Sequence, residues 1–296
     1  MVQLQGRRPQ LIEVAAGILF HGVASAMLLY MISVGLAVTM GLLNFVNLAH
    51  GVFAMGGGYM AILLAQRFGV PFVPAVLLAS IMVAAVSVVM ERVFYARLYN
   101  SGELSQVLLT MGLIFVATAV AKFFFGSSPQ NMVMPDWLRG QISLGLTTVP
   151  VYRTMIIVVG LMLAGGIWYV IEGTSLGAQL RAAVDNRQMA ETLGIRTDRI
   201  FTLTFALGSG LAALGGAIGA EILPMRPTYA LEMLVYVLIV VSVGGLGSLH
   251  GPFVAALLLG ISDTAFKYLF PQFGGFFIYA AMLLLLLWRP RGLFGR

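Results

Sequence analysis

Eight stretches of nearly uninterrupted apolar sequence govern what this chain can fold into: 13–34, 72–91, 104–125, 154–172, 200–222, 231–247, 252–270 and 275–289. A helix rises about 1.5 Å per residue, so about 20 apolar residues cover the hydrocarbon layer of a bilayer. The 296 residues are 60% hydrophobic and only 9% charged, whereas soluble domains carry about 25% charged residues. No water-soluble core of this size hides so much apolar surface. The expected fold is an all-α polytopic membrane protein of about eight transmembrane helices, because a helix satisfies its own backbone in lipid.

The charges divide these runs. Arg7 and Arg8 precede the first, Arg92 and Arg97 lie in 92–103, and Arg181, Arg187, Arg196 and Arg199 lie in 173–199. Arg289, Arg291 and Arg296 end the chain. The positive-inside rule puts all four clusters in the cytoplasm. The interval 126–153 holds only Arg139 and Arg153 and reads as an ordered outer loop. The net charge of +6 does not point to nucleic acid, because the cations sit between apolar runs and form no single basic face. The N-terminus reads as a retained first span, not a removed signal peptide. Eight crossings return the chain to its starting side, so both termini are expected in the cytoplasm. The count closes only if 35–66 is re-entrant or a broken helix that adds an even number of crossings. The whole of 1–296 then forms one transmembrane domain, with 173–199 as its main cytoplasmic segment.

Several chemistries are excluded. With no cysteine there is no disulfide framework or thiol nucleophile. His21, His50 and His250 have no metal-ligand spacing. The chain has two lysines, Lys122 and Lys267, and neither sits in the GxxxxGK[ST] pattern of a phosphate-binding loop. No Ser–His, paired-Asp or HExxH constellation is present, so no catalytic residue is expected.

One stretch violates the apolar rule. GLLNFVNLAHGVFAMGGGYMA, residues 41–61, places Asn44, Asn47, His50 and a triple glycine at membrane depth. Such polar groups are costly in lipid unless they face protein or water. Asn44, Asn47, His50, Gly51 and Gly57 are therefore candidates to line a translocation path, where a broken helix would offer backbone groups to a polar solute. Helix packing explains the same residues, with glycine against a neighbour and Asn and His bonded across helices. His50-Gly51-Val52-Phe53 is echoed by His250-Gly251-Pro252-Phe253, which follows a glycine-rich turn containing Gly245 and Gly247. Matching interrupted segments in two halves are compatible with an internal repeat. Asp263 and Lys267 are four residues apart inside an apolar run, a spacing that permits a structural or gating pair on one helix face.

The segment 173–199 is patterned. Leu176, Leu180, Ala183, Val184, Ala190 and Leu193 recur at roughly helical spacing, with charges mostly elsewhere. Gly194 suits a helix stop and Thr197 or Asp198 the next helix cap. A short amphipathic helix of this kind docks in a partner's groove or lies on the membrane surface.

Three motifs then resemble one family. NLAHG at 47–51 with Met55, Gly57 and Tyr59, LRAAVDNRQMAETLGIRTDRI at 180–200, and VGGLGSLHGPFVAALLLGI at 243–261 occur in the order and spacing of the permease subunits of bacterial ABC importers for branched-chain amino acids. The resemblance covers essentially the whole chain and is to the H-type member of the H/M permease pair. Val52 and Ala255-Ala256 depart from the family pattern. The resemblance implies a subunit of the bacterial inner membrane that pairs with a second, similar permease. Two cytoplasmic ABC ATPases, which bind ATP and Mg, and a periplasmic solute-binding protein would complete the importer. This chain would itself bind no cofactor. Leu180, Arg181, Ala182, Ala190, Glu191 and Gly194 would form the ATPase-coupling element, and Asn47 to Gly51 would lie near a path between permeases. Similar permeases carry urea, short amides or aromatic acids. An ATP-independent secondary transporter is the alternative class, although a carrier of that kind would be expected to show a relay of buried acids.

Overall fold

The computed structural model describes residues 7–43, 45, 47–99, 101–143, 148–245, 248 and 250–295. Helix α1 spans Arg7–Leu43 and α2 spans His50–Phe68. Helix α3, Phe72–Met90, runs on through a π turn at Glu91–Tyr95 and a 3₁₀ turn at Ala96–Leu98. Helices α4, Glu103–Phe125, and α5, Val151–Gly173, flank an outer excursion that contains a two-stranded hairpin. Its strands, β1 at Gln141–Ser143 and β2 at Thr148–Pro150, pair antiparallel. Two short helices follow, α6 at Ser175–Asp185 and α7 at Arg187–Thr192. Helices α8, Thr197–Gly219, α9, Tyr229–Gly244, α10, Gly251–Leu269, and α11, Phe277–Trp288, complete the chain.

Among the described residues, six helical stretches are long and apolar enough to cross a membrane, and α9 and α11 are shorter apolar helices. These correspond to the eight runs read from the sequence. The outer faces of α4 and α5 stay apolar, with Leu108, Phe115, Leu161 and Met162 exposed, as contact with lipid requires.

Contacts sort the helix ends into two groups. At one end, Gln66 donates to the Asn131 carbonyl at 3.1 Å, Gln130 bridges to Met225, and the Tyr152 hydroxyl donates to the Ile218 carbonyl. At the other, Thr202 bonds Glu91 at 3.0 Å and Arg181 bonds the Ile171 carbonyl. Helix α1 runs antiparallel to both α8 and α10. Gly35 lies against Gly208 and Ile32 against Gly215, while Ala26 meets Gly260 and Tyr30 stacks edge-on to Phe253. The start of α1 therefore belongs with 126–153. The tail belongs at the opposite end, where Leu293 N–H bonds the Val243 carbonyl at 2.8 Å.

This corrects two expectations. The helix expected to end near 34 continues to Leu43, and α2 leads back to the 126–153 end, where Gln66 meets Asn131. The start of α1 and the end of the chain then lie at opposite ends of the bundle, where the arginine count had placed them together.

Between α1 and α2, Phe45 and residues 47–49 are not helical, and they precede the triple glycine. Gly56, Gly57 and Gly58 lie inside continuous helix α2. A Cβ at Gly57 would overlap the Ala213 carbonyl, and a Cβ at Gly216 would overlap the Ala54 carbonyl. Helices α2 and α8 thus touch backbone to backbone, the close approach that small residues allow in membranes.

Candidate functional site

Asn44 lies outside the described residues. Asn47 is 2% exposed, and its Oδ1 accepts from the Tyr95 hydroxyl at 3.2 Å. Its Nδ2 has no partner among the described residues. His50 is 1% exposed, with Nε2 at 3.0 Å from the Ile32 carbonyl of α1. A Cβ at Gly51 would stand 2.5 Å from the Ala230 carbonyl. Asn47, His50, Gly51 and Gly57 therefore meet α1, α3, α8 and α9 of their own chain, deep in the bundle.

A group missed by the sequence reading adjoins this break. Glu91 opens the π turn and is buried, with Oε1 accepting from Tyr99 at 2.6 Å and Oε2 from Thr202 at 3.0 Å. Tyr95 contacts Phe205 at 4.8 Å between centroids, and Tyr99 contacts Phe201 at 6.4 Å. Phe45 packs on Tyr95 and Tyr99 at 5.4 and 5.8 Å. Glu91 ends an apolar run, so the sequence reads it as the edge of a polar interval. The tyrosines at positions 95 and 99, four and eight residues on, were the available signal.

The segment 173–199 forms a helical hairpin, not one helix. The Thr174 hydroxyl caps α6 by accepting from Gly177 N–H at 3.3 Å. Asn186 then adopts an extended conformation, φ −156°, and its Oδ1 accepts from Met189 N–H at 2.9 Å. An Asn that caps the next helix ends the previous one, which splits the expected element. Gly194 stops α7 as expected, at φ 82°. Its N–H bonds the Glu191 carbonyl at 3.0 Å and Ile195 N–H bonds the Ala190 carbonyl at 3.0 Å, the paired bonds of a Schellman stop. Helix α8 starts at Thr197 with Arg196 at its N-cap and no side-chain cap, and the Thr197 hydroxyl donates to Glu191 at 2.6 Å.

The apolar stripe divides. Ala183 and Ala190 bury against Phe201, whereas Leu176, Met189 and Leu193 are exposed, Leu193 by 74%. Leu180 and Ala182 are half-buried. The side chains of Val184 and Arg187 lie outside the described residues. Arg181 holds the end of α5 and Glu191 holds the start of α8, so both have partners within the chain.

At the same end, Gly245 takes φ 97° and lies against Gly295; Gly247 lies outside the described residues. His250 meets Glu172 at 3.4 Å on the rim of a cavity of about 350 Å³ between α1, α5 and α10, lined also by Tyr30, Trp168 and Phe253. Of the two His-Gly segments, His50 opens α2 and Gly251 opens α10, each a helix of 19 residues. Asp263 and Lys267 form their i,i+4 pair at 2.5 Å, with side chains 13% and 50% exposed.

An apolar helical bundle whose polar residues mostly serve packing, with a helical hairpin set at one end, defines an all-α polytopic membrane protein. The family model described as "Branched-chain amino acid transport system / permease component" matches residues 18–286, and the chain belongs to that family. It is 27% identical over 282 residues to the high-affinity branched-chain amino acid transport system permease protein BraD of Pseudomonas aeruginosa, covering 90% of this chain and 91% of that one. It is 26% identical over 297 residues to LivH of Escherichia coli (strain K12), named likewise, covering 94% of each. With LivM of the same strain, also named a permease protein of that system, it shares 26% over 295 residues, covering 92% of this chain and 69% of that one. No solved structure matches it.

Proposed function

We propose that this chain is a transmembrane subunit of an ATP-driven importer of branched-chain amino acids in the bacterial inner membrane. The cation-rich end, with the α6–α7 hairpin and the C-terminal tail, faces the cytoplasm. The start of α1 and the 126–153 loop face the periplasm and receive the solute-binding protein. Two ATPases that bind ATP and Mg dock on the hairpins of this chain and of a second, similar permease.

The observation that carries this reading is the hairpin. It is capped at both ends, folded on Ala183, Ala190 and Phe201, and presents Leu176, Met189 and Leu193 to solvent. A plain connection between spans has no need of such a surface, whereas a groove-binding partner does. The likeness to two differently named permeases of one Escherichia coli system supports pairing with a second permease. The printed names of the relatives support the substrate class.

The path runs between the two permeases. The stretch from Asn47 to Gly51, with Gly57, shapes its wall from behind, and the burial of Asn47 and His50 supports that placement. Gly245 anchors the tail at the hairpin end, and Asp263–Lys267 is a structural pair on α10. Affinity purification of the tagged chain, expressed with its neighbouring gene products, tests the assembly. The reading expects an ATPase and a second permease in the complex; a lone chain that transports by itself overturns it. A thermal-shift screen of the binding protein then separates branched-chain amino acids from urea, amides and aromatic acids.

A further inference from the structure

Glu91 is a carboxylate buried where an apolar or amide residue would cost less, since desolvating a charged or acidic group is unfavourable unless its partners compensate. Its partners are two hydroxyls from different elements: Thr202 in the second turn of α8, and Tyr99 just beyond its own π turn. π turns are rare and mark functional sites in helices. Here the turn sets three residues against α8 at once, with Glu91 on Thr202, Tyr95 on Phe205 and Tyr99 on Phe201. The same two tyrosines hold the break, Tyr95 through Asn47 and both through Phe45. On the other side, α8 is joined to the hairpin by the bond from Thr197 to Glu191 and by Phe201 beneath Ala183 and Ala190. A continuous set of hydrogen bonds and ring contacts thus runs from Glu191 of α7 to Asn47, with Glu91 as a buried carboxylate within it.

We propose that Glu91 is a positioning residue that ties the start of α8, and with it the α6–α7 hairpin, to Phe45 and Asn47 in the connection between α1 and α2. Movement of the hairpin is delivered to the break through the Glu91–Thr202 bond and the π turn. The transport consequence rests on the importer reading above; the mechanical link does not.

Two measurements test it. In the chain alone, Glu91→Gln and Thr202→Val should each speed amide hydrogen exchange at 45–49 about tenfold, as loss of one such bond predicts. In the assembled transporter, Glu91→Gln should lower solute moved per ATP hydrolysed about tenfold while ATP hydrolysis continues, and Thr202→Ser should restore what Thr202→Val loses. Combining Glu91→Gln with Tyr95→Phe should give less than the product of the two single effects, because residues in one linkage are not additive. Unchanged exchange at 45–49, full coupling in Glu91→Gln, or multiplicative effects overturn the proposal. If Glu91→Gln does not assemble, Thr202→Val and Tyr99→Phe carry the test, and full coupling in both refutes it. A complex that contains an ATPase yet shows no Glu91 effect sinks this assignment alone; absence of any ATPase sinks the importer reading instead.

Discussion

Gly57→Ala probes a backbone-on-backbone contact inside the bundle. The added methyl would fall on the Ala213 carbonyl oxygen, Cα and carbonyl carbon, all nearer than the 3.0 Å that real Cβ atoms respect. These are backbone atoms of α8, so no side chain can swing aside. Helices α2 and α8 would have to part by about 1 Å, and a gap of that size forfeits a quarter to a half of each dispersion contact it opens. Overpacking of a well-packed interior costs about 1–3 kcal/mol, and the reciprocal fit of Gly216 on Ala54 places Gly57→Ala at the upper end. At roughly 2–4 °C per kcal/mol for a chain of this size, melting in detergent should fall by roughly 6–12 °C. Gly112→Ala in α4 is the control, since nothing lies within 4 Å of its Cβ position. It should be neutral or gain up to about 1 kcal/mol, because alanine is the better helix former. Fluorescence-detected melting of the two variants decides the matter. Equal melting of Gly57→Ala and the unsubstituted chain would refute backbone-on-backbone packing of α2 and α8.

His50→Ala removes a buried ring and its bond to Ile32 and should cost about 2–4 kcal/mol; loss of uptake at unchanged melting would instead put His50 on the solute path. Gly194→Ala forces a side chain into φ 82° and should cost about 1–2 kcal/mol, read as faster hydrogen exchange at 190–195 and weaker ATPase binding. Single cysteines placed at Met189 and Val133, both exposed, should label from opposite sides of the membrane in this cysteine-free chain. A cysteine at Glu13 should label from the Val133 side, and labelling from the Met189 side would restore the even crossing count. Asp263→Asn loses one partly exposed i,i+4 pair and should change stability by only about 0.5 kcal/mol, checked by melting.

The apolar runs were legible because bilayer thickness sets a length that the sequence can match or miss. Boundaries inside polar-flanked runs were not. Residues 35–43 continue α1 with no Pro or cap signal to mark the stop at Leu43, and the triple glycine was the stronger break signal although it lies inside α2. Glycine in water breaks helices, but within a bundle at membrane depth Gly57 is a packing surface. In 173–199 the periodic residues were identified, and the αL stop at Gly194 followed from residue chemistry alone. The break at Asn186 was missed because Asn caps a helix only if the neighbouring turn lets it, and that is decided by Ala183 and Ala190 burying together on Phe201. The resemblance put Arg181 and Glu191 in an ATPase-coupling element. Their contacts with Ile171 and Thr197 come from the hairpin folding back on α5 and α8, which residue spacing does not encode. Glu91 was hidden for the same reason, since its partner Thr202 lies 111 residues away.

The central claim is that ATP hydrolysed on a partner drives solute through this chain by way of the α6–α7 hairpin. Its most direct test is leucine uptake into proteoliposomes holding the purified complex, with ATP supplied on the hairpin side, the binding protein on the other, and no ion gradient. The account predicts ATP-dependent accumulation that Leu193→Glu abolishes while the chain stays folded in the membrane. Accumulation without ATP, or full ATP-driven uptake in Leu193→Glu, would contradict it.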